Sequence, residues 1–225
     1  MKGVVSMTRS ATKSQIVHEI LPVGVLQCNC SIIGDTATGE CMVIDPGAEI
    51  QKIAGLLEKH GLKVQQIIIT HGHIDHVAGA MQLKRLTGAP ILMNKNDDQQ
   101  LKLLDIQASW IGAPSPGTVS IDQNISSGDV LKAGGLVATV MHTPGHTEGS
   151  CCLYFQAEKK LIAGDTLFAG SIGRTDLPGG SYKKILDSLH HTVLAMPDDT
   201  EVIPGHGPLT SIGQERETNP FLVDK

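Results

Sequence analysis

Short apolar stretches, alternating or continuous and bounded by Gly, Pro or Asp, recur along the chain and predict β-strands. The predicted strands cover residues 16–23, 28–33, 41–45, 66–70, 90–93, 129–133, 136–141, 150–155, 160–164 and 201–203. Apolar positions at helical spacing predict helices over 49–60, 77–87, 96–104 and 182–194. Because strands and helices interleave without a break in composition, we predict an α/β protein. Segment 105–127 shows neither period, and we expect a long irregular loop there.

The composition narrows the class of protein. Only 3% of the 225 residues are aromatic and 25 are glycine, which favours an aliphatic core in a turn-rich fold. We expect residues 1–15 to be a mobile N-terminal lead-in and residues 16–225 to form a single domain. The formal charge of −5 argues against a nucleic-acid partner. No run approaches the ~18 consecutive apolar residues of a membrane helix.

The cysteines indicate a compartment. There are five, an odd number with no Cys-x-x-Cys pair, and they lie in apolar, strand-like surroundings. Reduced and buried thiols are therefore expected, and the cytoplasm is the expected location. We expect a monomer or a homodimer that acts on a small molecule.

The densest polar cluster is the string Thr-His-Gly-His-Ile-Asp-His at residues 70–76, directly after three isoleucines. A divalent metal ion would satisfy such groups if they are buried, since neutral imidazole and carboxylate are ligands that it prefers. Alternation puts His71 and His73 on one side of the strand end. Asp75 and His76 lie where the next helix begins and could serve a second ion. A solvated polar loop is the competing interpretation.

Three further strand ends each deliver a histidine or an aspartate next to Gly or Pro, namely His146, Asp165 and His206. Seven nitrogen and oxygen donors exceed one tetrahedral site but suit two ions that share a carboxylate. The predicted metal-binding residues are His71, His73, Asp75, His76, His146, Asp165 and His206. No cysteine is among them, which argues against a closed structural zinc site. We predict a metal-dependent hydrolytic site with two divalent ions, zinc being expected and iron or manganese being the alternatives.

The string at 71–76, followed in order by His146, Asp165 and His206, resembles the metallo-β-lactamase superfamily. The Asp45-Pro46-Gly47 turn is similar to an early motif of that superfamily. The resemblance implies a four-layer αββα sandwich, in which helices flank two mixed β-sheets. It also implies that Asp165 bridges two ions and that the other ligands divide into two sets: His71, His73 and His146 on one ion, and Asp75, His76 and His206 on the other.

Within that superfamily, residues 164–176 resemble glyoxalase II, and residues 204–222 are similar to its short bacterial relatives. The resemblance implies that a metal-bridged hydroxide, held in position by Asp75, hydrolyses a thioester of the S-lactoylglutathione type. It also implies that Arg174 binds a substrate carboxylate, so an anionic thioester is expected; an ion pair with Asp176 is the alternative role. Asp45 and His142 are expected to support the ligands from behind.

Other functions stay open. The string Gly173-Arg174-Thr175-Asp176 also resembles persulfide dioxygenases, which use this fold with a single iron. An ester or lactone hydrolase and a non-catalytic metal-binding module are further alternatives. Trp110, the single tryptophan, either caps the core or forms a wall that faces the substrate. Solvated faces are expected for His18, His60, His190 and His191.

Overall fold

Two mixed β-sheets with helices on their outer faces make up the computed structural model, which describes residues 15–223. The lead-in expected over residues 1–15 lies outside the described residues, apart from Gln15. The helices are α1 Ile50–His60, α2 Ile74–Val77, α3 Ala80–Thr87, α4 Asp98–Leu101, α5 Leu104–Ile111, α6 Tyr182–Ser188 and α7 Ile212–Thr218. None of these helices has the length and apolar character needed to cross a bilayer.

The first sheet has the order β1-β2-β3-β4-β5-β6. Strands β1 to β3 are antiparallel, and β3 to β6 run parallel to one another. Their bounds are β1 Ile16–Val23, β2 Cys28–Asp35, β3 Glu40–Ile44, β4 Lys63–Ile68, β5 Ile91–Met93 and β6 Gln123–Asn124. The parallel part matters for the site, because the carboxyl ends of its strands lie at the same edge.

The second sheet has the order β14-β13-β10-β9-β8-β7, with β10 and β13 parallel and the other neighbours antiparallel. Its strands are β7 Val130–Ala133, β8 Leu136–His142, β9 Cys151–Phe155, β10 Lys160–Gly164, β13 Glu201–Pro204 and β14 Thr210–Ser211. A small antiparallel hairpin follows β10 and consists of β11 Leu167–Phe168 and β12 Ser171–Ile172.

Three apolar clusters separate four layers. The first lies between the helices of the N-terminal half and the first sheet, the second between the two sheets, and the third between the second sheet and α6 and α7. Strand β2 is covered on both faces. All its residues are buried because Cys30 and Ile32 pack toward the helices while Ile33 packs toward the other sheet. The predicted four-layer αββα sandwich is confirmed.

The prediction of an irregular loop over residues 105–127 is wrong for the first part of that segment, which belongs to α5. The helix buries Leu104, Gln107 and Ala108 at helical spacing. One of these buried positions is polar, and this masks the apolar period in the sequence. Gln107 is buried because its Oε1 accepts a 2.8 Å hydrogen bond from the backbone N–H of Ile74.

Other differences are smaller. The helix predicted over 96–104 consists of a 3₁₀ turn at Lys95–Asp97 followed by α4, and the one predicted over 77–87 is divided between α2 and α3. Strands β6, β11, β12 and β14 are two residues long, too short for a period to reveal them. The prediction that His18 lies on a solvated face is also wrong. His18 is partly buried, and its neighbours on the same face of β1, Ile16 and Ile20, pack on the cluster between the sheets. His60 is partly buried too, 2.6 Å from Glu19.

Candidate metal centre

Every segment that carries a predicted ligand leaves the carboxyl end of a strand. In the first sheet, the chain leaves β4 and passes through His71 and His73 into α2, which carries Asp75 and His76. In the second sheet, His146 follows β8, Asp165 follows β10 and His206 follows β13. Backbone hydrogen bonds hold these ends together, since Cys151 N–H donates to Thr70 O at 2.9 Å and Gly205 N–H donates to Gly164 O at 2.7 Å.

The structure brings His71, His73 and His146 into one group whose ligand atoms lie within 4.8 Å of one another. His73 Nδ1 is 3.1 Å from His71 Nε2 and 2.9 Å from His146 Nε2. Burial, followed by the neighbouring imidazole of His146, lowers the pKa of His73 to about 3. Its ring is therefore neutral near pH 7, as a metal ligand has to be.

A second group consists of Asp75, His76 and His206, again with ligand atoms within 4.8 Å. His206 Nε2 lies 3.0 Å from Asp75 Oδ2, and His76 Nε2 lies 3.5 Å from the same oxygen. Burial raises the pKa of Asp75, but the imidazoles of His76 and His206 outweigh it and hold the pKa well below the usual value. Asp75 is therefore a carboxylate at any working pH.

Asp165 lies between the two groups. Its Oδ1 is 3.4 Å from His76 Nε2, and its Oδ2 is 3.5 Å from His146 Nε2 and 3.8 Å from His206 Nε2. Oδ1 is buried and lacks a hydrogen-bond partner among the described residues. A buried carboxylate oxygen without a donor is costly, and a cation between the groups would satisfy it. Together with the nitrogen and oxygen donors, this oxygen shows that the clusters fit divalent metal ions.

The outward nitrogens of four rings are fixed by acceptors. His146 Nδ1 donates to the Arg174 carbonyl at 2.8 Å, and His206 Nδ1 donates to the Leu26 carbonyl at 3.0 Å. His76 Nδ1 lies 2.9 Å from Asp45 Oδ2. His71 Nδ1 lies 3.1 Å from a hydroxyl, Thr70 Oγ1, that itself donates to Asp45 Oδ2 at 2.7 Å. These bonds favour a proton on each outward nitrogen, so Nε2 is the atom of each of these rings that would bind a cation.

Two glycines allow the backbone to approach the centre. A Cβ on Gly47, in the turn after β3, would lie 1.6 Å from the carbonyl oxygen of Asp75. A Cβ on Gly205 would lie 2.1 Å from Asp165 Oδ1. Any larger residue at either position would displace a predicted ligand.

Asp97, which the sequence did not single out, joins the two halves of the centre. It is 1% exposed, and its Oδ2 accepts hydrogen bonds from Gly72 N–H at 2.8 Å and from Thr147 Oγ1 at 2.7 Å. Its Oδ1 accepts from Gly149 N–H at 2.6 Å. Gly72 lies between two predicted ligands, and the other two donors follow His146. We call this arrangement the Asp97 clamp.

The remaining predicted site residues lie near the centre in different ways. Asp45 supports His76 and Thr70 as described. Among the described residues, His142 forms no hydrogen bond with a predicted ligand; its Nε2 lies 2.8 Å from the Glu148 carbonyl and so closes the loop that carries His146. The guanidinium of Arg174 forms a two-pronged ion pair with Asp176, at 2.7 and 2.8 Å.

An open cavity of about 530 Å³ lies over the centre. Donors from both groups line it, together with Arg174 and the apolar side chains Leu26, Ile74, Trp110, Ile111 and Leu177. Trp110 is 58% exposed, so it does not cap the core. A cavity of this size with a few convergent polar groups is typical of small-molecule sites.

A four-layer αββα sandwich with such a centre at its strand ends defines a class of metal-dependent hydrolases. Residues 23–206 match the family model of the metallo-beta-lactamase superfamily, and the chain belongs to that superfamily. It is 39% identical to a "Hydroxyacylglutathione hydrolase GloC" of Haemophilus influenzae, over 92% of this chain and 98% of the relative. It is 33% identical to a "Probable metallo-hydrolase YqgX" of Bacillus subtilis, over 90% and 95%.

Solved structures share the fold. BLEG-1, described as a B3 metallo-beta-lactamase, has a TM-score of 0.86 at 34% identity and covers 92% of this chain and 100% of its own. TTHA1623 in a di-iron-bound form has a TM-score of 0.82 at 33% identity, with 91% and 100% covered. ETHE1 from Myxococcus xanthus has a TM-score of 0.77 at 27% identity, with 91% and 83% covered.

Proposed function

We propose that the chain hydrolyses anionic thioesters of the S-lactoylglutathione type with two divalent cations. The observation that carries this proposal is the pair of donor groups joined by Asp165 beneath an open cavity. The 39% identity to a hydroxyacylglutathione hydrolase supports the substrate class, and the likeness to a di-iron protein supports two cations. Asp165 would be shared by both cations; one would be held by His71, His73 and His146, and the other by Asp75, His76 and His206.

Cations bound there would polarise the scissile carbonyl and lower the pKa of a water toward ~7, which provides hydroxide at neutral pH. Asp75, kept ionised by its neighbours, accepts a hydrogen bond from the attacking water and orients it. A thiolate leaves without a proton donor. This fits a cavity in which the described titratable groups belong to the donor groups or to Arg174.

Arg174 is the residue that we assign to the substrate carboxylate. Two of its nitrogens donate to Asp176, and both side chains are mostly exposed. A guanidinium has five N–H donors, so others remain for a carboxylate at the mouth of the cavity. An exposed pair contributes little to stability, and replacing Arg174 should therefore change binding rather than folding.

The experiment that tests the function combines metal analysis with turnover. Freshly purified protein should contain about two zinc or iron-group ions per chain, and it should hydrolyse S-lactoylglutathione faster than a cephalosporin. A cephalosporin turned over faster than any thioester would refute the substrate class. If protein expressed with ample metal contained no bound metal after purification, the proposal that the chain is a metal-dependent enzyme would be refuted.

Arg174→Ala tests substrate recognition, with Arg85→Ala on the exposed face of α3 as the matched control. We expect Arg174→Ala to raise KM for an anionic thioester and to spare a neutral ester, while Arg85→Ala changes neither. An equal loss on both substrates would show that Arg174 supports the fold.

The alternative function is a persulfide dioxygenase with one iron, which the likeness to ETHE1 fits. One iron per chain, with oxygen uptake that depends on a persulfide and no thioester hydrolysis, would establish it instead. Faster turnover of a simple ester or lactone would point to that class of hydrolase.

A further inference from the structure

An apolar wall borders the candidate metal centre, and the reaction as proposed so far does not use it. It consists of the cavity-lining side chains Leu26, Ile74, Trp110, Ile111 and Leu177. Trp110 is 58% exposed and Leu26 is 46% exposed, although both are large apolar side chains. Two such side chains come from separate parts of the fold, the β1–β2 turn and α5, and face the same cavity.

Both sides of the wall are fixed to the centre. The carbonyl of Leu26 accepts the 3.0 Å hydrogen bond from His206 Nδ1. On α5, Gln107 is 5% exposed and accepts the 2.8 Å bond from the backbone of Ile74, the residue before Asp75. Trp110 lies one turn further along the same face of α5. The wall therefore keeps its position relative to the atoms that would react.

The chemistry of the cavity favours one occupant. Arg174 supplies a cation at the same cavity as the apolar wall, so a ligand with one anionic part and one apolar part matches it. A lactoyl group, with three carbons and a hydroxyl, offers the wall little apolar surface. An aliphatic acyl chain would cover Leu26 and Trp110 and remove them from water.

We propose that this wall binds the acyl group of the substrate, so that Trp110 and Leu26 select thioesters with apolar acyl chains of medium length over S-lactoylglutathione. The proposal rests on the proposed thioesterase function and names its substrate more closely. Each methylene covered by a wall that is open on one side should improve binding about two- to fourfold.

Trp110 is the single tryptophan of the chain, so its fluorescence reports binding at the wall directly. S-hexylglutathione and S-methylglutathione are thioethers that cannot be hydrolysed and that differ in apolar length. Titrated into the metal-loaded protein, the hexyl compound should shift the emission to shorter wavelength and bind at least tenfold more tightly than the methyl compound. Leu26→Ala should reduce this preference, whereas Leu86→Ala, which removes a 55% exposed leucine on α3, should not.

The kinetic arm measures kcat/KM for S-acetyl-, S-butyryl-, S-hexanoyl- and S-lactoylglutathione. We expect kcat/KM to rise along the aliphatic series, mainly through KM, and Trp110→Ala to flatten that rise, whereas Leu86→Ala should leave the whole series unchanged. Hydrolysis of all four thioesters at similar efficiency, without a change in Trp110 emission, would refute acyl binding at the wall but would support the thioesterase function. Preferential hexyl binding without any hydrolysis would support the wall and refute the thioesterase. The absence of both thioester hydrolysis and a change in Trp110 emission would refute both proposals.

Discussion

The Asp97 clamp makes a quantitative prediction, because three donors from two segments converge on one buried carboxylate. In Asp97→Asn, the amide oxygen can face Gly72 and Thr147, which leaves the NH₂ group facing the N–H of Gly149. One hydrogen bond to a charged acceptor is lost, and a buried donor is left without a partner. Together these changes cost about 1–3 kcal/mol, because both arise from the one bond to Gly149. Burial raises the pKa of Asp97, so removing the charge recovers part of that cost.

We therefore expect Asp97→Asn to lower the free energy of unfolding by about 1–3 kcal/mol. The loss should also reach the metal centre, since the clamp fixes the spacing between the segments of His73 and His146. Outer partners of ligands typically contribute 10- to 100-fold in metal affinity, which corresponds to about 1.4–2.7 kcal/mol.

The assay is a chelator competition for metal affinity, paired with urea unfolding of the metal-free protein. Asp98→Asn is the matched control, because it makes the same change one residue along, at an exposed position. It should shift stability by less than about 0.5 kcal/mol and leave metal affinity unchanged. Unchanged metal affinity in Asp97→Asn, despite a loss of stability, would show that the clamp serves only the fold.

Three further predictions follow from the structure. Asp75→Asn should lower kcat on the best thioester on the order of 100-fold or more, with unfolding little affected, and near-native turnover would contradict its role with water. Burial, assisted by Lys160, lowers the pKa of His18 to about 4 from 6.5, so the unfolded chain binds a proton in that window that the folded chain refuses. The free energy of unfolding should therefore fall as the pH drops from 6.5 toward 4, and it should fall less steeply in His18→Gln than in the unchanged protein. Urea unfolding that gives both proteins the same pH dependence would contradict this. Burial raises the pKa of Cys41 to about 12 and of Cys152 to about 11, so no thiol of the native protein should react with Ellman's reagent within minutes, and all five should react after denaturation.

Much of the fold and the donor set could be predicted because the signals are local. The alternation in residues 16–23 gives β1 with its observed bounds, and a histidine or aspartate beside Gly or Pro marks each strand end that meets at the centre. The same alternation places His18 on the face of Ile16 and Ile20, so its burial was readable in the sequence but outweighed by the polarity of its side chain.

The rest depends on contacts that carry no local signal. The carbonyls of Leu26 and Arg174 fix two of the rings, and every residue has a carbonyl. Asp97 lies more than twenty residues from each residue that donates a hydrogen bond to it, so its role exists only after the chain has folded. The polar Gln107 hides α5, and with it the position of the single tryptophan.

The division of the donors between the sheets bears on the order of assembly. Four donors follow strand β4 of the first sheet, and three follow strands of the second. A full coordination sphere therefore exists only after the two sheets have docked, which makes metal uptake a late event in folding. Any cation bound by both sets would stabilise the docked state by an amount that grows with the logarithm of its concentration over its dissociation constant. The amide of Cys151, bonded to Thr70 across the two sheets at 2.9 Å, should then exchange its hydrogen more slowly as metal is added.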